Sequence, residues 1–484
     1  MSDNDLIKIL KTFTTGETKE FKKFIASPYF NNRTAVIKYY DFLLRYHPDF
    51  PKEKIKNENA FKFLYPRKKF KDSVIRRLSS FLNELSEKFV LYKAFENNTH
   101  YYNKFFTTEL LNRRLNSLFE KKVAKIDKEY ETFSDGIDTF FLMKYHYTQD
   151  KMSNHMMNHD DHLLPELAIE RINNSKLNDL ILTLLNLRTL YVNEKNFKID
   201  YSNALFTKLV DLNAIEKFIL YLEEIKHKYY PIIAIHFYEV MAFKHPKNEI
   251  YYKKFRELIS KTAGKFSQIE RLNFYTMLEG VCMLKVESGN LNYLDELFSA
   301  YKEMLNKKLY SFTKDGSFVL KIFRNILILS AYLGEIKWLE SFLKKYSSKL
   351  PAGAKESMHN LSKAVVAFEK KEFEKSLELL SKIDYEMFYF KIDLKNLQLK
   401  LFYELGYFEQ ALSLIDTYRH FLKNDRVLSE RSREKIKKFL ELAKTLVSAK
   451  MKNDKFKFHK LRKSLDSFND VFNKKWLYEK VSAF

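Results

Sequence analysis

The sequence predicts an all-α protein, and three observations carry that prediction. The 484 residues include only 9 Gly and 8 Pro, too few for the tight turns that a β-rich or α/β chain of this length needs. Hydrophobic residues make up 45% and aromatic residues 16%, ample for buried cores and unlike a disordered chain. Abundant Leu, Lys and Glu with few breakers favour long helical elements. Four regions follow from the pattern: a basic helical N-terminal domain (1–95), helical hairpins with open boundaries (96–280), helical repeats (281–421) and basic C-terminal capping helices (422–484).

In the first region, TGETKEFKKFIAS reads as a helix that must stop before Pro28, because a residue preceding proline avoids the helical conformation. Asn31 or Asn32 is placed to cap the next helix, roughly RTAVIKYYDFLLRYH, ended by Pro48 and Pro51. NENAFKFLYP gives a short helix closed by Pro66. Asp72 is placed to cap a long helix running to about Phe95. Its stripe is Val74, Leu78, Phe81, Leu82, Leu85 and Phe89, spaced for one helical face.

The middle region alternates amphipathic helical stretches with short polar breaks such as INNSK. One segment has metal-like composition. His155 and His159 stand four apart, a spacing that shares a helix face, with Asp160, Asp161 and His162 adjoining. No HExxH accompanies them, and the polar stretch before Pro165 reads first as an exposed connection.

The repeats are the most informative part. SGNLNYLDELFSAY, LGEIKWLESFLKKY, KKEFEKSLELLSKI and LGYFEQALSLIDTY align without gaps. Each has a turn position (Gly289, Gly334, Lys371, Gly406), then an apolar residue two later (Leu291, Ile336, Phe373, Phe408). A packing position follows (Leu294, Leu339, Ser376, Ala411), then Phe298, Leu343, Leu380 or Ile415, then Tyr301, Tyr346, Ile383 or Tyr418. Physically this is a helical hairpin: a residue tolerant of the left-handed conformation ends the first helix, and small residues let the second approach closely. The packing positions are 45, 37 and 35 residues apart, the last two near the tetratricopeptide period. Ser376 with Leu380 and Ala411 with Ile415 resemble that family's A-x-x-x-F step. The family's Trp, mid-helix Gly and closing Pro are missing. The resemblance implies an α-α hairpin solenoid with a partner-binding groove and carries over no ligand residue.

The formal net charge is +23. It concentrates at the ends, with +9 in residues 1–95 and +11 in 419–484. Such ends suit polyanions, although lysine far exceeds arginine and AT-rich coding gives the same bias. The polyanion candidates are Arg67, Lys68, Lys69 and Lys71 in the loop before the long helix, Arg76 and Arg77 in its first turns, and Lys457, Lys460, Arg462 and Lys463 among Phe456 and Phe458. A phosphate at that helix start would accept free backbone N–H groups. The plain readings are a solvated basic loop and a capping pair with its aromatics inward.

Cys282 is the only cysteine, so no intramolecular disulfide or multi-thiolate metal site forms. In LEGVCMLKV it reads as a small buried side chain. YPIIAIHFYEVMAF and VLKIFRNILILSAY are interrupted by charged or polar residues and read as buried helices, not membrane spans. MSDNDLIKILKTF shows no basic stretch followed by an apolar one, so no secretory signal is expected. No GxGxxG, P-loop, GxSxG, HExxH or CxxC motif occurs, and no catalytic, cofactor-binding or metal-ligating residue is assigned.

EFKKFIASPYFNN, FYELGYFEQALSLIDTYRHFLKND and KKWLYEKV together resemble a full-length helical family, without assigned activity, of Bacteroidota and related bacteria. That resemblance implies a bacterial cytoplasmic protein, helical throughout, and adds no site residue. The function expected is a non-enzymatic protein-interaction scaffold without cofactor, its partner unidentified. The alternative is a nucleic-acid-associated protein gripping polyanions through its basic ends.

Overall fold

A computed structural model describes residues 4–131, 136–196, 204–313, 316–383, 388–425, 428, 430–467 and 473–483. Among these the chain forms twenty-four α-helices and no β-strand. No helix is long and apolar enough to cross a membrane. The chain divides into two compact units, Met1–Glu129 with Met143–Arg171, and Tyr130–Leu142 with Ile172–Phe484.

In the first unit, α1 (Asp5–Lys11), α2 (Thr15–Ala26), α3 (Thr34–Leu44), α4 (Asn57–Leu64) and α5 (Asp72–Asn97) share one core. Leu6, Phe21, Ile25, Tyr39, Ile75 and Leu82 are wholly buried in it. α2 starts because Thr14 and Glu17 form a reciprocal capping box, with the Glu17 amide donating to Thr14 Oγ1 (3.2 Å) and the Thr14 amide to Glu17 Oε2 (2.8 Å). It stops where Ser27, before Pro28, turns extended at ψ 125°.

Two expected caps are corrected. α3 is preceded by Arg33, not capped by an asparagine side chain. Asn31 instead donates to the Ile25 carbonyl (2.8 Å) and accepts from the Arg33 amide (2.9 Å), tying the end of α2 to the start of α3. Lys71 occupies the cap position of α5. Asp72 lies inside the first turn, where its carboxylate accepts from Asn57 (2.5 Å) and pairs with Arg76 (2.7 Å). Of the predicted stripe, Leu78, Leu82, Leu85 and Phe89 are buried, while Val74 and Phe81 pack at its margin and Ile75 joins it.

The chain continues through α6 (Thr99–Asn112), α7 (Asn116–Glu131), α8 (Ile137–Met157) and α9 (Leu164–Asn196). Within the first unit, buried Asp150 accepts from Lys104 and Thr107, both at 2.9 Å.

The second unit continues with α10 (Leu205–Leu209), α11 (Leu212–Glu224), α12 (Tyr230–Lys244), α13 (Glu249–Thr262), α14 (Gln268–Glu287), α15 (Tyr293–Asn306), α16 (Leu320–Leu333) and α17 (Ile336–Tyr346). It ends with α18 (Ala352–Glu369), α19 (Phe373–Ser381), α20 (Phe388–Glu404), α21 (Phe408–Asn424), α22 (Glu430–Met451), α23 (Lys455–Ser467) and α24 (Lys474–Ser482). From α11 onward every helix packs on its successor, and α12 on α14, α16 on α18 and α18 on α20. Residues 232–243 of α12 are buried without exception, as an apolar stretch in a non-spanning helix should be.

The four aligned turns share one backbone geometry. Gly289, Gly334, Lys371 and Gly406 have φ of +104°, +78°, +64° and +75°. The amide after each reaches back five residues: Asn290 to Lys285 O (3.1 Å), Glu335 to Ser330 O (2.9 Å), Glu372 to Ala367 O (2.9 Å) and Tyr407 to Phe402 O (2.8 Å). This left-handed cap satisfies carbonyls that the helix end would leave unpaired. Ile336, Phe373 and Phe408 then begin α17, α19 and α21. The first hairpin departs from this pattern. α15 starts two residues late, at Tyr293, and Leu291 is left outside it and exposed.

Leu339, Ser376 and Ala411 are fully buried and Leu294 nearly so. Ser376 makes its burial tolerable by donating to the Ala364 carbonyl (2.7 Å). Phe298, Leu380 and Ile415 are buried as aligned. In α17 the inward side chain is Phe342 rather than the half-buried Leu343, because Phe342 stacks on Trp338 at 5.6 Å and meets Phe323 at 4.9 Å.

Candidate interaction face

A polar network links α14, α15, α16 and α20. Glu279 of α14 accepts from Tyr301 Oη (2.8 Å) and from Asn325 Nδ2 (2.6 Å). Arg324 of α16 donates to Asn325 Oδ1 (2.8 Å) and grips Asp393 of α20 with two nitrogens, Nε at 2.6 Å. Paired donors of this kind fit the planar carboxylate. α16 and α20 belong to hairpins two apart, so this pair spans the intervening α18. Burial pushes the Glu279 carboxyl above its ordinary range, against Tyr301, Lys321, Arg324 and Asn325, which favour its charge.

The C-terminal helices fold back onto the same set. Lys435 of α22 pairs with Glu287 at the end of α14. In α24, Lys475 Nζ donates to the Tyr332 carbonyl of α16 (2.9 Å). The Trp476 indole N–H donates to Glu404 Oε1 of α20 (2.7 Å), and Lys480 Nζ reaches the same oxygen (2.7 Å). The Trp476 ring meets Tyr403 edge-on, 5.4 Å between centroids. Nearby, half-buried Lys400 lies over the Phe368 ring at 4.5 Å. Burial lowers the Lys400 ammonium, against Glu369, Glu404, Glu479 and Asp393, which favour its charge.

A second polar cluster lines an open cleft of about 680 Å³ between α13 and the α14–α15 turn. Its charged groups largely satisfy one another. Lys285 donates to Glu249 (2.7 Å), Tyr293 to Glu249 (2.5 Å), Tyr252 to Glu296 (2.9 Å), and Arg256 to Glu296 (3.2 Å) and Glu303 (2.6 Å). Cys282, buried behind Tyr252, has its thiol pushed up to about 12 by burial, which disfavours the thiolate.

Arg67, Lys68, Lys69, Lys71, Arg76 and Arg77 are all exposed around the start of α5. Arg76 is held by Asp72 (2.7 Å), and Lys68 lies over the Tyr65 ring (5.5 Å). Arg67, Lys69, Lys71 and Arg77 make no ion pair among the described residues. In α23, Lys460, Arg462 and Lys463 are exposed, Lys457 pairs with Asp454 (3.5 Å), Phe458 is buried and Phe456 faces outward.

The shared helix face of His155 and His159 is corrected. α8 ends at Met157, and His159 sits in a left-handed turn at φ +55°. Asp160 bonds both His155 Nδ1 (3.2 Å) and His162 Nδ1, and no group of potential metal ligands forms among the described residues.

The network of Glu279, Arg324, Asp393, Glu404 and Trp476 was not legible as a site. Its one sequence signal was the charge inside otherwise apolar helices, such as Arg324 in VLKIFRNILILSAY. Comparison with known protein families, curated proteins and solved structures yields no match.

Proposed function

We propose that the chain is a non-enzymatic protein-interaction scaffold of the bacterial cytoplasm, with α14–α21 stacked as a tetratricopeptide-like solenoid. The observation that carries this reading is the four turns of one geometry, each followed by a helix with a buried packing residue. A repeated hairpin buries its core only by stacking on its neighbours, and the stacked helices then present one extended face. The lack of catalytic motifs and the mutual satisfaction of the cleft's charges favour binding over chemistry. The test is affinity capture of the tagged full chain from its host, with and without nuclease and at two salt concentrations. A partner set that survives nuclease and moderate salt is the expected result. Loss of the partners on nuclease treatment contradicts it.

A second reading rests on Arg67, Lys69, Lys71 and Arg77, exposed and without ion pairs among the described residues around the start of α5. These cations are free to meet a polyanion. Binding of that kind is steeply salt-dependent, so the same capture experiment separates the two readings.

A further inference from the structure

We propose that the aromatic face formed by the end of α5, the outer side of α6 and the start of α7 docks on an anionic lipid surface, holding the chain at a membrane without crossing it. The face lies within the first unit. It is separate from the hairpins and from the basic start of α5, on which the two functional readings rest.

α6 is built inside out. An ordinary surface helix buries its apolar stripe and turns its polar side to water. In the first turns of α6 the buried residues are Asn103 and Thr107, and Thr107 Oγ1 donates to buried Asp150 (2.9 Å). Tyr102, Phe105 and Phe106 face solvent instead, at 43%, 57% and 42% exposure. Steps of three and four place them on one side of the helix. Polar residues buried opposite large exposed apolar ones invert the usual arrangement and call for a partner.

The face continues onto both neighbouring helices. Phe95, at the end of α5, meets Tyr102 at 5.6 Å and Phe105 at 5.8 Å. Leu91, one turn before it, is 67% exposed. The Tyr102 and Phe106 rings lie 6.1 Å apart, and Lys122 of α7 reaches over both, at 6.0 and 5.9 Å. Leu118, one turn before Lys122, is 53% exposed. A contiguous apolar surface of this kind marks a binding site.

Charge selects the occupant. The unit holds 30 Lys/Arg against 21 Asp/Glu. Residues 113–128, which border the face, hold six Lys/Arg against two Asp/Glu. Lys121 and Lys125 stand beside Lys122 on α7, exposed and without ion pairs among the described residues. Glu109, next along the α6 stripe, is held by Arg113 (3.2 Å). A second copy would bring like charges together, so the face suits an anionic partner. The rings alone would suit stacked bases, but Leu91 and Leu118 have no planar surface to stack on. A bilayer takes both kinds of side chain. Rings and leucines enter the boundary between headgroups and acyl chains. Lysine stems lie along them and place their ammonium groups at the anionic headgroups.

The test is co-sedimentation of the full chain with vesicles of phosphatidylcholine alone, or with about one-third phosphatidylserine. Partition to the serine-containing vesicles is expected to be at least tenfold stronger, and to weaken with salt. Phe105→Ala/Phe106→Ala is expected to reduce it at least tenfold, and Lys121→Ala/Lys125→Ala roughly tenfold or more. All four positions are exposed, so the thermal midpoints should match wild type. A second readout does not depend on lost binding. Phe105→Cys takes an environment-sensitive dye, since Cys282 is fully buried. The emission is expected to shift to the blue with the serine-containing vesicles and not with phosphatidylcholine alone. No partition to either vesicle, partition that Phe105→Ala/Phe106→Ala leaves unchanged, or an unshifted dye overturns the proposal. Binding of a labelled oligothymidine but not of vesicles overturns it in favour of nucleic acid. Dimerisation abolished by Phe105→Ala/Phe106→Ala, without vesicle binding, overturns it in favour of self-association.

Discussion

Lys371 holds, at φ +64°, the conformation that glycine holds at the three equivalent turns. A Cβ in the left-handed region costs roughly 1–2 kcal/mol, and Lys371 is exposed, so its side chain offers little packing in return. Lys371→Gly is therefore expected to stabilise the chain by about 1 kcal/mol, measured as a rise in the urea midpoint at unchanged slope. An unchanged or lowered midpoint would mean that the lysine stem contributes packing not evident from its exposure.

Glu303 makes the opposite kind of contribution. Burial raises its carboxyl, but Lys307, Arg256 and Tyr275 outweigh that and hold it down to about 2, from an ordinary 4.5. A depressed carboxyl stabilises the fold above its unfolded value and loses that stabilisation as pH falls through its folded value. Glu303→Gln is thus expected to cost about 2 kcal/mol at pH 7. The gap from wild type should close as the pH falls from about 4.5 toward 2. Urea titrations at pH 7 and pH 3 check this, and a gap of equal size at both contradicts it.

At the scale of the element, the hairpins depend on close approach at Ser376 and Ala411, both fully buried. Ala411→Leu is expected to cost about 1–3 kcal/mol by overpacking, while the same change at exposed Glu409 should leave the thermal midpoint nearly unmoved.

The left-handed turns and the helices that start after them were legible in the sequence because their signals are local. A left-handed turn residue, an apolar residue two later and a small or apolar packing residue all lie within one turn or two of chain. The buried α12 and the stop before Pro28 were legible for the same reason. The caps of α3 and α5 were misassigned because several polar residues competed for each position, and tertiary bonds such as Asn31 to Ile25 (2.8 Å) and Asn57 to Asp72 (2.5 Å) chose among them. The polar face was invisible because Arg324 and Asp393 stand 69 residues apart, and no local pattern links them.

At the scale of the whole second unit, packing joins hairpins that are not neighbours in sequence. Arg324 with Asp393 bridges α16 and α20 across α18, Lys435 returns α22 to α14, and Lys475 and Trp476 of α24 reach Tyr332 of α16 and Glu404 of α20. Stacking alone would leave each hairpin touching only those before and after it. These longer-range contacts tie the C-terminal helices to α14, α16 and α20.

The measurement that tests this arrangement most directly is a double-mutant cycle on Arg324 and Asp393 in the full chain, by urea unfolding. Arg324→Ala and Asp393→Ala should each be strongly destabilising, since each leaves a charge poorly solvated and unpaired. The double variant is predicted to cost less than their sum, with a coupling of about 1.5–3 kcal/mol. Strict additivity of the two substitutions would contradict it, placing the two side chains out of contact.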